Sequence, residues 1–215
     1  MANSDHSDAT KFWDKNARKY AKEKIADQAE YENGLEITKT FLRSEHHVLE
    51  LGCGTGSTAL LLAPFVGRIT GSDISPEMIA ICNEKKAAAD INNVQFIVGA
   101  TTQPELPNGH FDAVLAFSML HLVGDLDETL AQIHQRLKPG GMFISKTPCL
   151  SQTRVFSLMR WPLILAQKLG QAPKVIFFNV AQLELRVKKA GFELVHGYTT
   201  EKQPRRRYIA AKKKV

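Results

Sequence analysis

The chain is 215 residues long, 44% hydrophobic, with a formal net charge of +6. It holds enough apolar material for a full core in a single domain, has no run long and apolar enough to cross a bilayer, and starts with the polar stretch MANSDHSDAT, which lacks a signal-peptide core, so a cytoplasmic location is expected. Cys53, Cys82 and Cys149 are odd in number and lack C-x-x-C spacing, so neither a disulfide framework nor a metal site is indicated.

In chain order, residues 11 to 43 read as two helices. The first carries Phe12, Trp13 and Tyr20; the second places Tyr31, Leu35, Ile37 and Phe41 at helical spacing. Residues 48 to 58, VLELGCGTGST, are an apolar strand that ends beside Glu50 and opens into Gly52, Gly54 and Gly56 at alternate positions. Three glycines in five residues are costly in chain entropy unless the loop needs positive φ or close approach of a ligand. A helix over 57–65 comes next and turns its free N–H groups back toward the loop. The stretch from Gly67 to Asp73 is a second strand ending in a carboxylate, and Ser75 and Pro76 start a helix over 76–89 as N-cap and first-turn residue. Val94–Val98 and Phe111–Phe117 read as the third and fourth strands, 126–137 as a helix, and Leu137 to Ser145 as a helix end, a Pro-Gly-Gly turn and a fifth strand. A helix from Val180 to Ala190 and strands over Phe192 to Tyr198 and Arg207 to Ala211 complete the pattern. Strands alternating with helices predict an α/β fold with a parallel sheet covered on both faces.

The glycine loop after Glu50, Asp73 at the end of the second strand, FDAVLAF and LKPGGMF succeed one another in an order that resembles the motifs of the class I S-adenosylmethionine-dependent methyltransferases, of the bacterial small-molecule type, over roughly residues 46 to 147. The resemblance implies a Rossmann-like, doubly wound, seven-stranded and mostly parallel sheet with an antiparallel last strand and an N-terminal helical lid. It also implies S-adenosylmethionine as cofactor, held by Glu50, Gly52, Gly54, Gly56, Asp73, Ile74, Met78, Ala100, Thr101, Phe117 and Ser118, with Tyr20 and Tyr31 as lid candidates for reaching the site. Charge supports this over a dinucleotide: Glu50 suits a ligand with a sulfonium and an ammonium and would repel a pyrophosphate. The dinucleotide fingerprint also wants Gly or Ala where Ser57 stands. Asp73 is expected to grip both ribose hydroxyls. One departure concerns adenine. The Asp common in the family two residues after the third strand is replaced within Gly99-Ala100-Thr101-Thr102, leaving adenine recognition to Thr101.

One methyltransferase domain over 1–215 is expected, with a lid over 1–44, a cofactor-binding core over 45–147, a substrate-cap insertion over 148–178, and a C-terminal helix and strands over 179–215. Within the cap, Cys149 to Ala172 is more apolar than a surface connection needs and is expected to wall an apolar pocket. His121, just past the fourth strand, is the candidate general base for the acceptor, with a pKa near the ordinary value of about 6.5. His46, His47 and His110 look solvated. The seven basic residues from Lys202 onward exceed the whole net charge of +6, so the rest of the chain is nearly neutral, and Lys212 to Lys214 read as a solvated, dispensable tail. No interleaved aromatics accompany them. Ser118-Met-Leu-His121 also stands where nucleic-acid base methyltransferases often carry an Asn-Pro-Pro-Tyr-like motif, so no nucleic-acid partner is expected. The predicted function is methyl transfer from S-adenosylmethionine to a small, apolar or aromatic acceptor. The alternatives are a nucleoside-binding module without turnover, for which the missing Asp speaks, and a nicotinamide-dependent oxidoreductase, which the glycine spacing opposes.

Overall fold

The strands are β1 His47–Leu51, β2 Arg68–Asp73, β3 Val94–Val98, β4 Phe111–Phe117, β5 Leu137–Pro148, β6 Phe192–Thr199 and β7 Arg206–Lys213. The computed structural model describes residues 2–100, 106–152, 167 and 172–214. Within them the strands form one seven-stranded sheet in the order β3-β2-β1-β4-β5-β7-β6. The first five strands pair in parallel, and β7 runs antiparallel to both β5 and β6. The predicted doubly wound architecture is therefore the observed one. Its order reverses between β1 and β4, which opens a crevice beyond their carboxyl ends.

The central strands read as near-continuous apolar runs because helices cover both faces. On one face Val48, Leu115, Ile144 and Tyr208 pack with Leu35 of α2 (Gln28–Lys39), Leu62 of α3 (Ser57–Leu62), and Ile79 and Cys82 of α4 (Pro76–Ala88). On the other, Leu49, Val114, Phe143 and Ile209 pack with Leu130 and Ile133 of α5 (Leu126–Arg136) and Leu183 and Val187 of α6 (Val180–Lys189).

The first N-terminal helix, α1 (Ala2–Tyr20), docks on α4. Ala17 packs with Met78 and Ile81, Trp13 lies against them, and Arg18 makes paired 2.7 Å bonds to Glu84. Asp14 accepts from the Ser75 hydroxyl at 2.5 Å and from the Glu77 N–H at 3.2 Å, so α1 supplies part of the cap of α4. The basic end of the chain corrects the expected tail. Lys212 and Lys213 belong to β7, opposite Met142 of β5 and Phe192 of β6. The Lys213 ammonium donates to the carbonyls of His134 and Leu137 at 2.7 and 2.8 Å.

Candidate functional site

The site is built from the segments that leave β1, β2 and β4 at their carboxyl ends. Gly52, Gly54 and Gly56 all have positive φ (+64°, +53° and +75°), which only glycine adopts freely. Packing fixes two of them a second time. A Cβ at Gly52 would stand 2.9 Å from the Met119 Cβ, and one at Gly56 would stand 2.8 Å from the Phe96 ring and 2.9 Å from the Cys82 sulfur. Only Gly54 faces away from the core, and there a Cβ would lie 3.8 Å from the ring of Tyr20. The end of α1 thus lies near the loop at the one of these glycines that faces away from the core. Cys82 holds the loop from below by donating to the Gly54 carbonyl at 3.1 Å.

Asp73 ends β2 and accepts from the Gly54 N–H at 2.9 Å and the Ser75 N–H at 3.0 Å, which ties the loop to the start of α4. Burial raises its pKa, and those N–H groups act against the rise. Its carbonyl accepts from the Gly99 N–H at 2.8 Å, which brings the half-buried Ala100 alongside. Thr101 lies outside the described residues. Ile74 is half-buried between Asp73 and Ser75, whereas Met78 points under α1 toward Ala17.

Glu50 is 2% exposed, and its Oε2 has no hydrogen-bond partner among the described residues. Burial above all, reinforced by the charge of Asp73 and opposed by the Ala59 backbone, pushes its pKa up to about 8. In the free protein it therefore carries a proton at neutral pH. An orphaned acid at the foot of a glycine loop, near a second carboxylate, fits a ligand that brings positive charge and ribose hydroxyls together. The residues present thus fit S-adenosylmethionine.

Ser118, just past β4, is exposed and left-handed at φ +53°, a conformation that costs a residue with a Cβ about 1 kcal/mol or more and is found at functional sites. Its N–H donates to the Lys146 carbonyl at 2.7 Å, and Phe117 beside it is half-buried. His121 comes three residues later, with Nδ1 3.3 Å from the Thr147 hydroxyl. Burial first, then the charge of Arg206, lowers its pKa to about 4, not the ordinary value expected from the sequence. The His121 carbonyl accepts from the Ile176 N–H at 2.8 Å, and the Ser151 N–H donates to the Phe178 carbonyl at 3.2 Å. The two described ends of the expected cap therefore meet beside His121; residues 153–166 and 168–171, with its apolar run, lie outside the described residues.

Of the two tyrosines expected to reach the site, Tyr20 lies beside Gly54 of the loop, and the partial burial of its hydroxyl end chiefly raises its pKa. Tyr31 bonds Thr58 on α3 at 3.0 Å. Sequence reasoning missed Glu30 and Lys146. Lys146 is 9% exposed on β5, and its ammonium lies 2.9 Å from Glu30 Oε2 of α2. The signal was available, because a lysine inside the apolar run FISKTP needs a buried partner. His47 and His110 are not simply solvated either. Their rings bond Nδ1 to Nε2 at 3.1 Å, with His47 Nε2 3.0 Å from the Thr70 hydroxyl, at the amino ends of β1 and β4 and away from the site.

The family model described as a methyltransferase domain matches residues 13–197. The uncharacterised methyltransferase YcgJ of Bacillus subtilis is 31% identical over 130 residues, 60% of this chain and 51% of that protein. A demethylmenaquinone methyltransferase of Symbiobacterium thermophilum is 32% identical over 125 residues, 56% of this chain and 48% of that protein. The chain spans about half the length of these curated relatives. The crystal structure of YcgJ from Bacillus subtilis shares the fold with a TM-score of 0.72 at 16% identity, over 86% of this chain and 99% of that one.

Proposed function

Because this chain belongs to the class I S-adenosylmethionine-dependent methyltransferases, we propose that it moves the methyl group of S-adenosylmethionine onto a small molecule with an apolar or aromatic body. The observation that carries the reading is the meeting of the unpartnered Oε2 of Glu50, the Asp73 carboxylate and Gly54, the loop glycine that faces away from the core, at the point where the strand order reverses. Support for an apolar acceptor comes from the demethylmenaquinone methyltransferase relative. Support for a small molecule over a nucleic acid comes from the basic residues near the chain end. Lys202 pairs with Asp27, Arg207 with Glu184, and Lys213 with backbone carbonyls, so these cations are engaged within the fold.

The sulfonium supplies a leaving group that is already activated, so transfer is an in-line displacement that needs alignment and dryness more than a nucleophilic side chain. Asp73 would hold the ribose hydroxyls with the lone pairs not occupied by Gly54 and Ser75. Glu50 would give up its proton to meet the positive charge. Gly52 and Gly56 hold the loop in shape, Ala100 and Thr101 would bound the adenine, and Ile74, Phe117 and Ser118 would line the rest of the cleft, whereas Met78, buried against Ala17 of α1, would act only by seating α1 on α4. Tyr20, near Gly54 and 47% exposed, would close over the bound cofactor to keep water out. His121, neutral at physiological pH, would accept a hydrogen bond from the acceptor O–H or N–H and take its proton as transfer proceeds.

Measuring S-adenosylhomocysteine production from a panel of quinols, phenols and amines tests the proposal. Turnover with any of them supports it. Tight cofactor binding with no turnover across the panel favours the binding-module reading, for which Ala100 in place of the family's Asp and the weakly basic His121 are the specific support.

A further inference from the structure

Two cations share one carboxylate near the carboxyl end of β5. Lys146, on β5 between Phe117 of β4 and Tyr208 of β7, neutralises Glu30 at 2.9 Å, with the two side chains 11% and 18% exposed. Arg206, at the start of β7, reaches the same Glu30 Oε2 only at 4.0 Å, beyond hydrogen-bonding distance, and its side chain is 38% exposed. Tyr198 donates to the other oxygen, Oε1, at 3.4 Å, so that carboxylate already has its partners. The N-cap acid of α2 is taken as well: Asp27 pairs with Lys202. Among the described residues of this cluster, one positive charge is left without close compensation, on a guanidinium turned partly to solvent.

Its place is at the expected acceptor side. Arg206 stands opposite Pro148 in the β5–β7 ladder, next to Thr147, whose hydroxyl faces His121 at 3.3 Å. We infer that Arg206 is a recognition residue for a carboxylate carried by the methyl acceptor, an inference that rests on the methyl-transfer reading above. A guanidinium presents a planar fork that matches a carboxylate in two parallel hydrogen bonds, which an ammonium does not. One excess positive charge suits a monoanion. The charge of Arg206 also acts on groups on two sides of the cleft. It adds to burial in keeping His121 unprotonated, and it opposes the burial-driven rise at Tyr20 of the lid. An anion bound to Arg206 would therefore lie within electrostatic reach of the imidazole and the lid together. The acceptor so described is amphiphilic, with an apolar or aromatic body and one carboxylate.

The test is calorimetric titration of octanoate and, separately, octanol into the full chain saturated with S-adenosylhomocysteine, repeated with Arg206→Gln and Arg206→Lys. Octanoate is expected to bind at least about tenfold more tightly than octanol, the size of one charge-assisted hydrogen-bonded contact. Arg206→Gln should abolish that preference, and Arg206→Lys should retain only part of it. Equal affinity for the two probes, binding of neither by protein that does bind S-adenosylhomocysteine, or a preference that survives in Arg206→Gln overturns the inference. Should the variants fail to fold, the comparison of the two probes on the wild type decides alone. Failure of the wild type to bind S-adenosylhomocysteine at all would instead overturn the methyl-transfer reading, and this inference with it.

Discussion

Glu50→Gln should make the free protein more stable and the cofactor-bound protein weaker. A carboxyl whose pKa rises from 4.5 in the unfolded chain to about 8 in the fold binds its proton more tightly when folded, so the stability it contributes is full below pH 4.5 and is lost as pH rises toward 8. Between 4.5 and 7 the interval is about 2.5 pH units at about 1.4 kcal/mol each, so the wild type gives up about 3 kcal/mol by pH 7 and about 5 kcal/mol by pH 9. Glutamine, which resembles the protonated acid and does not titrate, keeps that stability. For a chain of 215 residues this corresponds to a melting temperature about 6–12 °C higher at pH 7, with little difference at pH 4.5. Calorimetric melting across pH 4.5 to 9 measures it. Adding S-adenosylmethionine should reverse the order, because a cation stabilises the ionised carboxylate and cannot do the same for an amide. Parallel pH curves for wild type and variant would refute the reasoning, since they would mean that Glu50 is ionised and partnered in the free protein.

His121→Asn should lower turnover by about 10²-fold with cofactor affinity nearly unchanged, as expected on removing a general base. Because the folded pKa of His121 is lowered to about 4, activity that depends on it should stay flat from pH 8 down to 5 and fall only as pH drops through that value; a wild-type acid limb near pH 6.5 that the variant lacks would show that burial does not suppress the imidazole. Deleting Lys212 to Val215 should destabilise the protein by about 2 kcal/mol, judged from two ammonium–carbonyl bonds and the ladder pairs lost from β7, and lower its melting temperature by about 4–8 °C. An unchanged melting temperature would restore the view of these lysines as a free tail.

Local pattern made the sheet legible where the strands are buried. Val94–Val98 and Phe111–Phe117 are the observed β3 and β4 residue for residue, because short apolar runs bounded by turns leave little choice of register. The glycine loop and Asp73 were equally legible, and the positive φ expected of the glycines holds at all three, but packing adds a second reason for two of them. Gly52 and Gly56 answer to Met119, Phe96 and Cys82, whose approach depends on long-range packing that no local pattern encodes. Asp73 likewise supports the Gly54 and Ser75 backbone as well as any ligand. β7 was cut short because its ends are charged: Arg206, Lys212 and Lys213 look like solvent residues until strands on both sides pair with them. The pairing of Lys146 with Glu30 joins residues 116 positions apart, so only the lone charge in an apolar strand could have signalled it. The lowered pKa of His121 comes from burial beside Arg206, which becomes a neighbour only through the β5–β7 pairing.

Calorimetric titration of S-adenosylmethionine into the wild type and into Asp73→Ala tests the cofactor site most directly. The wild type should show saturable binding at one site. The variant should bind more weakly by about 1.5–3 kcal/mol, the worth of hydrogen bonds to a charged acceptor, and should also melt earlier because Gly54 and Ser75 lose the acceptor they share. A folded wild type that shows no binding of S-adenosylmethionine, or a folded variant that binds it as tightly as the wild type does, would contradict the account.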